Sequence, residues 1–153
     1  MRMRPNAIVS GGQTGVDRAA LDAAIDLGIA TGGFIPAGRM AEDGRIPDSY
    51  QGLAETDSSD PSVRTELNVR NSDATLVLVR GALTGGTLLS VRIANRIEKP
   101  LLIVNIDERG AVDKVEAWLS ENSAGVLNIS GPRESEDAGI YAAAKSFIDI
   151  ILR

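Results

Sequence analysis

The sequence predicts an α/β domain in which a doubly wound, mainly parallel sheet of about five strands carries helices on both faces. Four short apolar runs indicate the strands, because they are nearly continuous and do not alternate with polar residues. They are Ala7 to Val9, Leu76 to Val79, Leu101 to Val104 and Val126 to Ile129. Strands that are apolar on both faces are typical of parallel sheets buried between helices. Segments with helical periodicity separate the runs, as right-handed crossovers between parallel strands require.

The elements can be assigned in chain order. The first strand is followed by a helix from Val16 to Leu27 and by a shorter strand around Gly32 to Ile35. A second helix, from Val63 to Asp73, ends at a polar turn before the strand at Leu76. Three later apolar stripes have the spacing of one buried helix face. They are formed by Leu89, Ile93 and Ile97, by Val112, Val115 and Leu119, and by Ile140, Ala144, Phe147, Ile148 and Ile151. Within the sheet we expect four buried side chains: Ile8, Val77, Ile103 and Leu127.

Composition and charge restrict the class of protein. With 153 residues and 43% hydrophobic content, residues 1–153 are expected to form one domain with a substantial core. A net charge of -5 argues against a nucleic-acid binder, which normally presents a basic face. No apolar stretch has the length of a membrane span, and Met1 to Pro5 lacks the core of a signal peptide. Together with the absence of cysteine, these features lead us to expect a cytoplasmic protein without a membrane partner.

The chain also contains no histidine. Zinc sites built on Cys or His are therefore excluded, as are Ser-His-Asp and Cys-His catalysis. Any acid–base chemistry has to come from carboxylates, Lys, Tyr or the ligand itself. No residue of the chain is assigned as a metal ligand or as a catalytic group at this point.

Three glycine-rich turns each follow a predicted strand or lead into a predicted helix. They lie at Ser10 to Gly15, at Gly81 to Thr87 and at Gly131 to Ser135. In an α/β sheet such turns gather at the carboxyl ends of the strands, where ligands bind. We expect each turn to present free backbone N–H groups at a helix N-terminus, which is a natural receptor for an anion. The turns therefore predict a binder of a phosphorylated small molecule.

The first predicted helix carries an acidic residue on its apolar side. Arg18, Asp22 and Asp26 form a polar stripe at helical spacing, and Arg18 and Asp22 are placed to support each other as opposite charges. Asp17 lies outside that stripe, among apolar residues. A first-turn carboxylate is favoured by the helix dipole alone. The alternative is that Asp17 points into a cleft beside the first glycine turn and contacts the ligand.

Residues 36–61 have no clear periodicity and contain several glycines and prolines. A stretch of this length is often a lid or binding loop, although a solvated surface loop or a disordered segment has the same pattern. Its charged residues either pair with one another or bring Arg39 or Arg45 to an anion. The helix that follows carries Arg64, Glu66 and Asn68, which we expect to border the same opening.

These segments together resemble the molybdenum cofactor carrier proteins. The likeness begins with the run from Ser10 to Asp22 and continues in order over nearly the whole chain. The matching segments are Ser10 to Asp22, Pro36 to Arg39, Ala41 to Pro47, Arg64 to Arg70, Ser72-Asp73, Gly81 with Gly85-Gly86-Thr87, Lys99-Pro100, and Asn128 to Ser135. More distantly, the family is similar to the lysine-decarboxylase-like Rossmann proteins, which bind or cleave nucleoside monophosphates. Those relatives carry a glycine-glycine-x-glycine-threonine turn and a catalytic glutamate, whereas this chain has Gly11 to Gly15 in a different order, followed by Asp17.

The resemblance implies a Rossmann-like carrier that binds and protects the molybdenum cofactor, which is a phosphorylated pterin. It also implies that molybdoenzymes are the recipients of that cofactor. Since the chain has no Cys or His, molybdenum would be held by the cofactor's own sulfurs. The related carriers also lead us to expect a symmetric homo-oligomer. The alternative is a nucleotide hydrolase of the lysine-decarboxylase-like type that uses Asp17, Glu66 or Glu134. The candidate cofactor-binding residues are Gly11, Gly12, Gln13, Thr14, Gly15, Asp17, Arg39, Arg64, Glu66, Asn68, Gly81, Gly85, Gly86, Thr87, Gly131, Arg133, Glu134 and Ser135.

Overall fold

A computed structural model describes residues 4–153. Met1 to Met3, part of the segment that we expect to lack a signal-peptide core, lie outside the described residues. The strands are β1 Ala7–Val9, β2 Ala30–Ile35, β3 Met40–Ala41, β4 Gly44–Arg45, β5 Leu53–Glu55, β6 Ala74–Val79, β7 Leu101–Asn105 and β8 Val126–Ser130. The helices are α1 Val16–Asp26, α2 Pro61–Arg70, α3 Gly85–Arg96, α4 Ala111–Asn122 and α5 Ile140–Leu152. No helix of residues 4–153 has both the length and the apolar character needed to cross a membrane.

Six strands form one parallel sheet in the order β5-β2-β1-β8-β6-β7. The predicted doubly wound α/β fold is thereby confirmed, but the expected number of about five strands is one too few. The additional strand is β5, which pairs with the outer side of β2. It belongs to residues 36–61, which were expected to have no regular structure. The same segment also forms a hairpin of β3 and β4.

Helices cover both faces of the sheet. The main core cluster combines buried residues of α1, α4 and α5, whereas Val69 of α2 packs with Ile93 and Ala94 of α3 in a separate cluster. Ile8, Val77 and Leu127 are fully buried, as expected. Ile103 is only partly buried because β7 is an edge strand.

The connections after β8 and β6 leave the sheet in opposite directions. The chain after β8 enters α5 on one face, and the chain after β6 enters α3 on the other face. Because β8 and β6 are neighbours in the sheet, a crevice opens between the two connections. This is the position at which doubly wound sheets bind their ligands.

Residues 36–61, hereafter the flap, are attached to the body of the domain by side chains. Asp43 forms a bidentate ion pair with Arg18 of α1, with nitrogen–oxygen distances of 2.8 and 2.9 Å. Asp22 still supports the charge of Arg18 electrostatically, as expected, but the direct ion-pair partner of Arg18 is Asp43. Asp22 instead accepts hydrogen bonds from the hydroxyl groups of Tyr50 in the flap and Tyr141 in α5, at 2.8 and 2.5 Å.

Candidate functional site

The three glycine turns meet around one cleft of about 250 Å³ at the carboxyl edge of the sheet. Gln13, Gly86 and Gly131, one residue from each turn, contribute to its lining. The starts of α2 and α3 form two of its walls, at Asp60 to Ser62 and at Gly85 to Thr87. The cleft thus lies in the crevice that the diverging connections after β8 and β6 create.

Asp17 and Arg64 form an ion pair at the base of this cleft. The distance between Arg64 Nη1 and Asp17 Oδ2 is 3.4 Å, and the two side chains are only 13% and 8% exposed. Burial raises the pKa of Asp17, and the attraction of Arg64 only partly opposes that shift. The Nε of Arg64 is the one buried side-chain nitrogen or oxygen of residues 4–153 that lacks a hydrogen-bond partner. This N–H is therefore a buried donor without an acceptor, next to the cleft that the Arg64 side chain lines.

Gly11 leaves room for the Arg64 side chain beside this ion pair. A Cβ at Gly11 would lie 1.9 Å from Arg64 Nη1. Any larger residue would thus push the guanidinium group away from Asp17. Gly131 is similarly restricted, because a Cβ there would lie 2.4 Å from the carbonyl oxygen of Leu78.

The N–H groups of the first turn are largely occupied, in contrast to the expectation that each turn leaves them free. Four of them donate to acceptors within the protein. These are Ser10 to Gly32 O at 3.1 Å, Gly12 to Ser10 Oγ at 3.2 Å, Gln13 to Asp17 Oδ2 at 3.2 Å and Thr14 to Gln13 Oε1 at 3.0 Å. The N–H of Val16, the first residue of α1, donates to Pro132 O in the third turn at 3.1 Å. The first turn is therefore organised by its own side chains and by the third turn.

The third turn is occupied in the same way. Its N–H groups donate from Arg133 to Glu136 Oε1, from Glu134 to Thr14 Oγ1 and from Ser135 to Glu42 Oε2, each at 3.2 Å. The expectation of free donors fails here because the nearby carboxylate of Glu136 and two groups distant in sequence, the Thr14 hydroxyl and the Glu42 carboxylate, take the place of an external anion.

The second turn keeps open donors at the start of a helix. Thr84 occupies the N-cap position of α3, but its side chain does not cap the helix and its hydroxyl donates to Glu136 at 2.8 Å. The N–H groups of Gly85, Gly86 and Thr87 have no acceptor among residues 4–153. A Cβ at Gly86 would meet no atom within 4 Å, so the approach to these donors is open. Such a helix start attracts an oxyanion through both hydrogen bonds and the helix dipole.

Several predicted site residues have structural partners instead of facing the cleft. Glu66 pairs with Arg96 at 2.8 Å and with Arg70 at 3.6 Å. The carboxylate of Glu134 accepts the N–H groups of Gly139 and Tyr141 at the start of α5, at 2.6 and 2.9 Å. Neither acid lines the cleft.

Arg39, Asn68 and Gly81 are also absent from the lining of the main cleft. Arg39 donates to the carbonyl groups of Ile46 and Pro47 within the flap, at 3.2 and 3.0 Å. The Asn68 amide binds both backbone groups of Phe34, accepting at 2.7 Å and donating at 3.0 Å. Thr14 and Ser135 lie beside the cleft and bind Glu42 of the flap.

The structure adds residues that the sequence analysis did not select. Ser62, Thr65, Ser130 and Glu136 contribute to the lining of the cleft. Ser130 could have been found because it ends a strand and directly precedes a glycine turn. The helix start at Asp60-Pro61 is also recognisable, since Asp at the N-cap and Pro at the first position are a helix-start signal. Glu136 has no such local signal.

The comparisons with known proteins agree with this fold and with the resemblance found in the sequence. A protein from Syntrophus aciditrophicus SB, described as "Putative molybdenum carrier protein", has a crystal structure that matches with a TM-score of 0.96 and 42% sequence identity. The match covers 100% of this chain and 98% of the other. No curated protein gives a significant match. Residues 8–152 match the circularly permutated YpsA SLOG family (cpYpsA), and the chain therefore belongs to that family.

Proposed function

We propose that the cleft binds the phosphorylated pterin of the molybdenum cofactor, and that the protein carries and protects this cofactor as cargo. The observation that carries the proposal is the open start of α3 at Gly85 to Thr87 in a cleft that also contains Arg64. Backbone donors and a guanidinium group are the partners that a phosphate prefers. The description of the 42% identical structural neighbour as a molybdenum carrier supports the same ligand.

The remaining residues fit the other parts of such a ligand. Asp17 and Gln13 offer a carboxylate and an amide to the polar edge of a pterin. The chain has no Cys or His, so the metal keeps the sulfurs of the cofactor as its ligands. The cleft volume of about 250 Å³ is slightly below the roughly 300–1,000 Å³ of pockets that enclose drug-sized ligands. The phosphate end and part of the heterocycle therefore occupy the cleft, and the metal end lies at its rim.

A second candidate function is cleavage of a nucleoside monophosphate. One observation favours it: Asp17 is a buried acid in the cleft whose pKa is raised by burial, a property of general acids. Glu66 and Glu134, the other two acids considered for this role, are engaged in contacts outside the cleft. The carrier function requires only binding, for which the open donors and the Asp17–Arg64 pair suffice.

The lifetime of the cofactor tests the carrier proposal. The pure protein is mixed with molybdenum cofactor, and the time over which the cofactor can still activate an apo-molybdoenzyme is followed. We expect the protein to prolong this lifetime relative to buffer and Asp17→Ala or Arg64→Ala to shorten it. Decay as fast as in buffer, with release of free base from a nucleoside monophosphate, would establish the hydrolase instead.

A matched pair of glycine variants locates the phosphate. A Cβ at Gly86 or at Gly81 meets no atom within 4 Å, so both positions have room for the first carbon of a side chain. Only Gly86 lies in the cleft lining. Gly86→Val should therefore abolish most of the protection, because its side chain blocks the N–H groups of α3, whereas Gly81→Val should retain it. Equal protection by both variants would place the phosphate elsewhere.

A further inference from the structure

The carboxylate of Glu42 is held by donors from two of the glycine turns. Glu42 Oε1 accepts from Ser135 Oγ at 2.5 Å, and Glu42 Oε2 accepts from the Ser135 N–H at 3.2 Å and from the hydroxyl group of Thr14. Arg133 Nε donates to Glu136 Oε1 at 3.2 Å and lies 4.0 Å from Glu42 Oε1. Two hydroxyl groups and one backbone N–H thus donate to a single anionic group, and a guanidinium group lies close to it.

These donors belong to the body of the domain, whereas the carboxylate belongs to the flap. Thr14 and Ser135 lie 28 and 93 residues away from Glu42 along the chain. The hydrogen bonds from Ser135 and Thr14 lower the pKa of Glu42, so the side chain is an anion at neutral pH. A flap carboxylate therefore occupies the type of position that the glycine turns were expected to offer to an external oxyanion.

We propose that Thr14, Arg133 and Ser135 form a second oxyanion subsite, which Glu42 fills in the free protein and leaves when a ligand with a second anionic group binds. This proposal adds a second binding position to the proposed function. It rests on the proposed function in one respect, the assignment of the first anionic group of the ligand to the start of α3. The ligand class is a small molecule with two oxyanionic groups, such as a phosphate at one end and an oxo-metal group or second phosphate at the other.

The flap is built so that this exchange is possible. Glu42 lies at the tip of the β3–β4 hairpin, whose strands contain only two residues each. Its N–H donates at 2.8 Å to the side chain of Gln13, which also lines the cleft. Departure of Glu42 leaves the Thr14 and Ser135 donors unpaired, and an incoming oxyanion replaces the lost hydrogen bonds. Filling of the subsite and opening of the hairpin are therefore linked.

The test is a titration of the ¹⁵N-labelled chain with inorganic phosphate, followed through the backbone amides. In the unmodified protein, the Gly85 to Thr87 amides should respond and the Ser135 amide should not. In Glu42→Ala, the Ser135 amide should respond as well, at phosphate concentrations at least tenfold below any at which it responds in the unmodified protein. The expected gain follows from removal of a tethered competitor whose effective concentration is on the order of millimolar.

Two further variants serve as controls. Glu121→Gln removes a negative charge from an exposed position of α4 and should behave as the unmodified protein. Thr14→Val in the Glu42→Ala background should abolish the Ser135 response, because one subsite donor is lost. A Ser135 amide that stays insensitive to phosphate in Glu42→Ala, or a response that Thr14→Val leaves unchanged, would overturn the proposal.

The same titration separates this proposal from the proposed function. In Glu42→Ala/Gly86→Val the α3 donors are blocked, but the second subsite remains. Loss of the Gly85 to Thr87 response with a retained Ser135 response supports the second subsite independently. If Gly85 to Thr87 never respond in any variant while Ser135 does, the assignment of the phosphate to α3 fails and the second subsite stands.

Discussion

At the residue scale, Asp17 is the side chain whose ionisation is most strongly affected by its surroundings in the cleft. It is 6% exposed, and burial raises its pKa in spite of Arg64. A raised pKa means that the folded protein binds a proton more readily than the unfolded chain at this position. The contribution of Asp17 to stability is then fully present below its unfolded pKa and is lost as pH rises through its folded pKa.

The direction of this pH dependence gives a prediction for Asp17→Asn. Asparagine can still accept the N–H of Gln13, but it has no charge to desolvate. We expect the unmodified protein to lose stability relative to the variant as pH rises above about 4, the range of an unperturbed Asp. The quantity compared is the free energy of unfolding of the unmodified protein minus that of the variant. Urea unfolding at a series of pH values measures this difference. A difference that rises with pH would mean that Arg64 dominates and that the pKa of Asp17 is lowered.

Gly11→Ala tests the geometry around Arg64. The added methyl group would lie 1.9 Å from Arg64 Nη1 and forces the guanidinium group away from Asp17. We expect a loss of roughly 1–3 kcal/mol in stability, as for other broken buried contacts, and a clear loss of cofactor protection. Gly81→Ala, where the methyl group meets no neighbour, is the control. Equal unfolding midpoints for the two variants would show that Arg64 adapts without cost.

At the scale of elements, the flap depends on the Asp22 carboxylate. Tyr50 connects the flap to Asp22, and Tyr141 connects α5 to the same carboxylate. Burial and Asp22 raise the pKa of Tyr141 to about 12, so its hydroxyl remains a donor at neutral pH. The two tyrosines therefore form a matched pair of contacts, of which only one holds the flap.

Tyr50→Phe should release the flap, whereas Tyr141→Phe should not. Each variant loses one hydrogen bond to a charged acceptor, worth roughly 1.5–3 kcal/mol. Amide hydrogen exchange over residues 40–55 should accelerate in Tyr50→Phe, and should remain unchanged in Tyr141→Phe. Equal exchange in both variants would indicate that the Arg18–Asp43 ion pair alone fixes the flap.

The elements also show what the sequence could predict. Strands such as Ala74–Val79 were recognisable by an apolar run, here Leu76 to Val79, because both of their faces are buried. β5 contains one large apolar residue, Leu53, and pairs on one side only, so it has no periodic signal. The burial of Asp17 could be predicted from its angle on α1. The occupied donors of the third turn could not be predicted in full, because acceptors such as Glu42 and the Thr14 hydroxyl are brought there by tertiary contacts.

At the scale of the whole molecule, the oligomeric state stays a prediction. The related carriers led us to expect at least a dimer, and the described surface includes exposed apolar side chains such as Ile25 and Met40. Light scattering at micromolar concentration should therefore give a mass of at least twice 16.1 kDa. A particle of 16.1 kDa would contradict the expectation.

The contact between Asn68 and Phe34 has a consequence for the molecule as a whole. β1 pairs with β2 only as far as Gly32, and beyond it the Asn68 side chain binds both backbone groups of Phe34. A side chain of α2 thus supplies the hydrogen bonds that β1 would supply to Phe34 if β1 were longer. It attaches α2 to the sheet one helical turn after Arg64. If a ligand draws Arg64 and its helix toward the cleft, we expect the two hydrogen bonds between Asn68 and Phe34 to lengthen. The Phe34 amide is therefore a natural reporter, remote from the ligand, of whether α2 moves when the cleft fills.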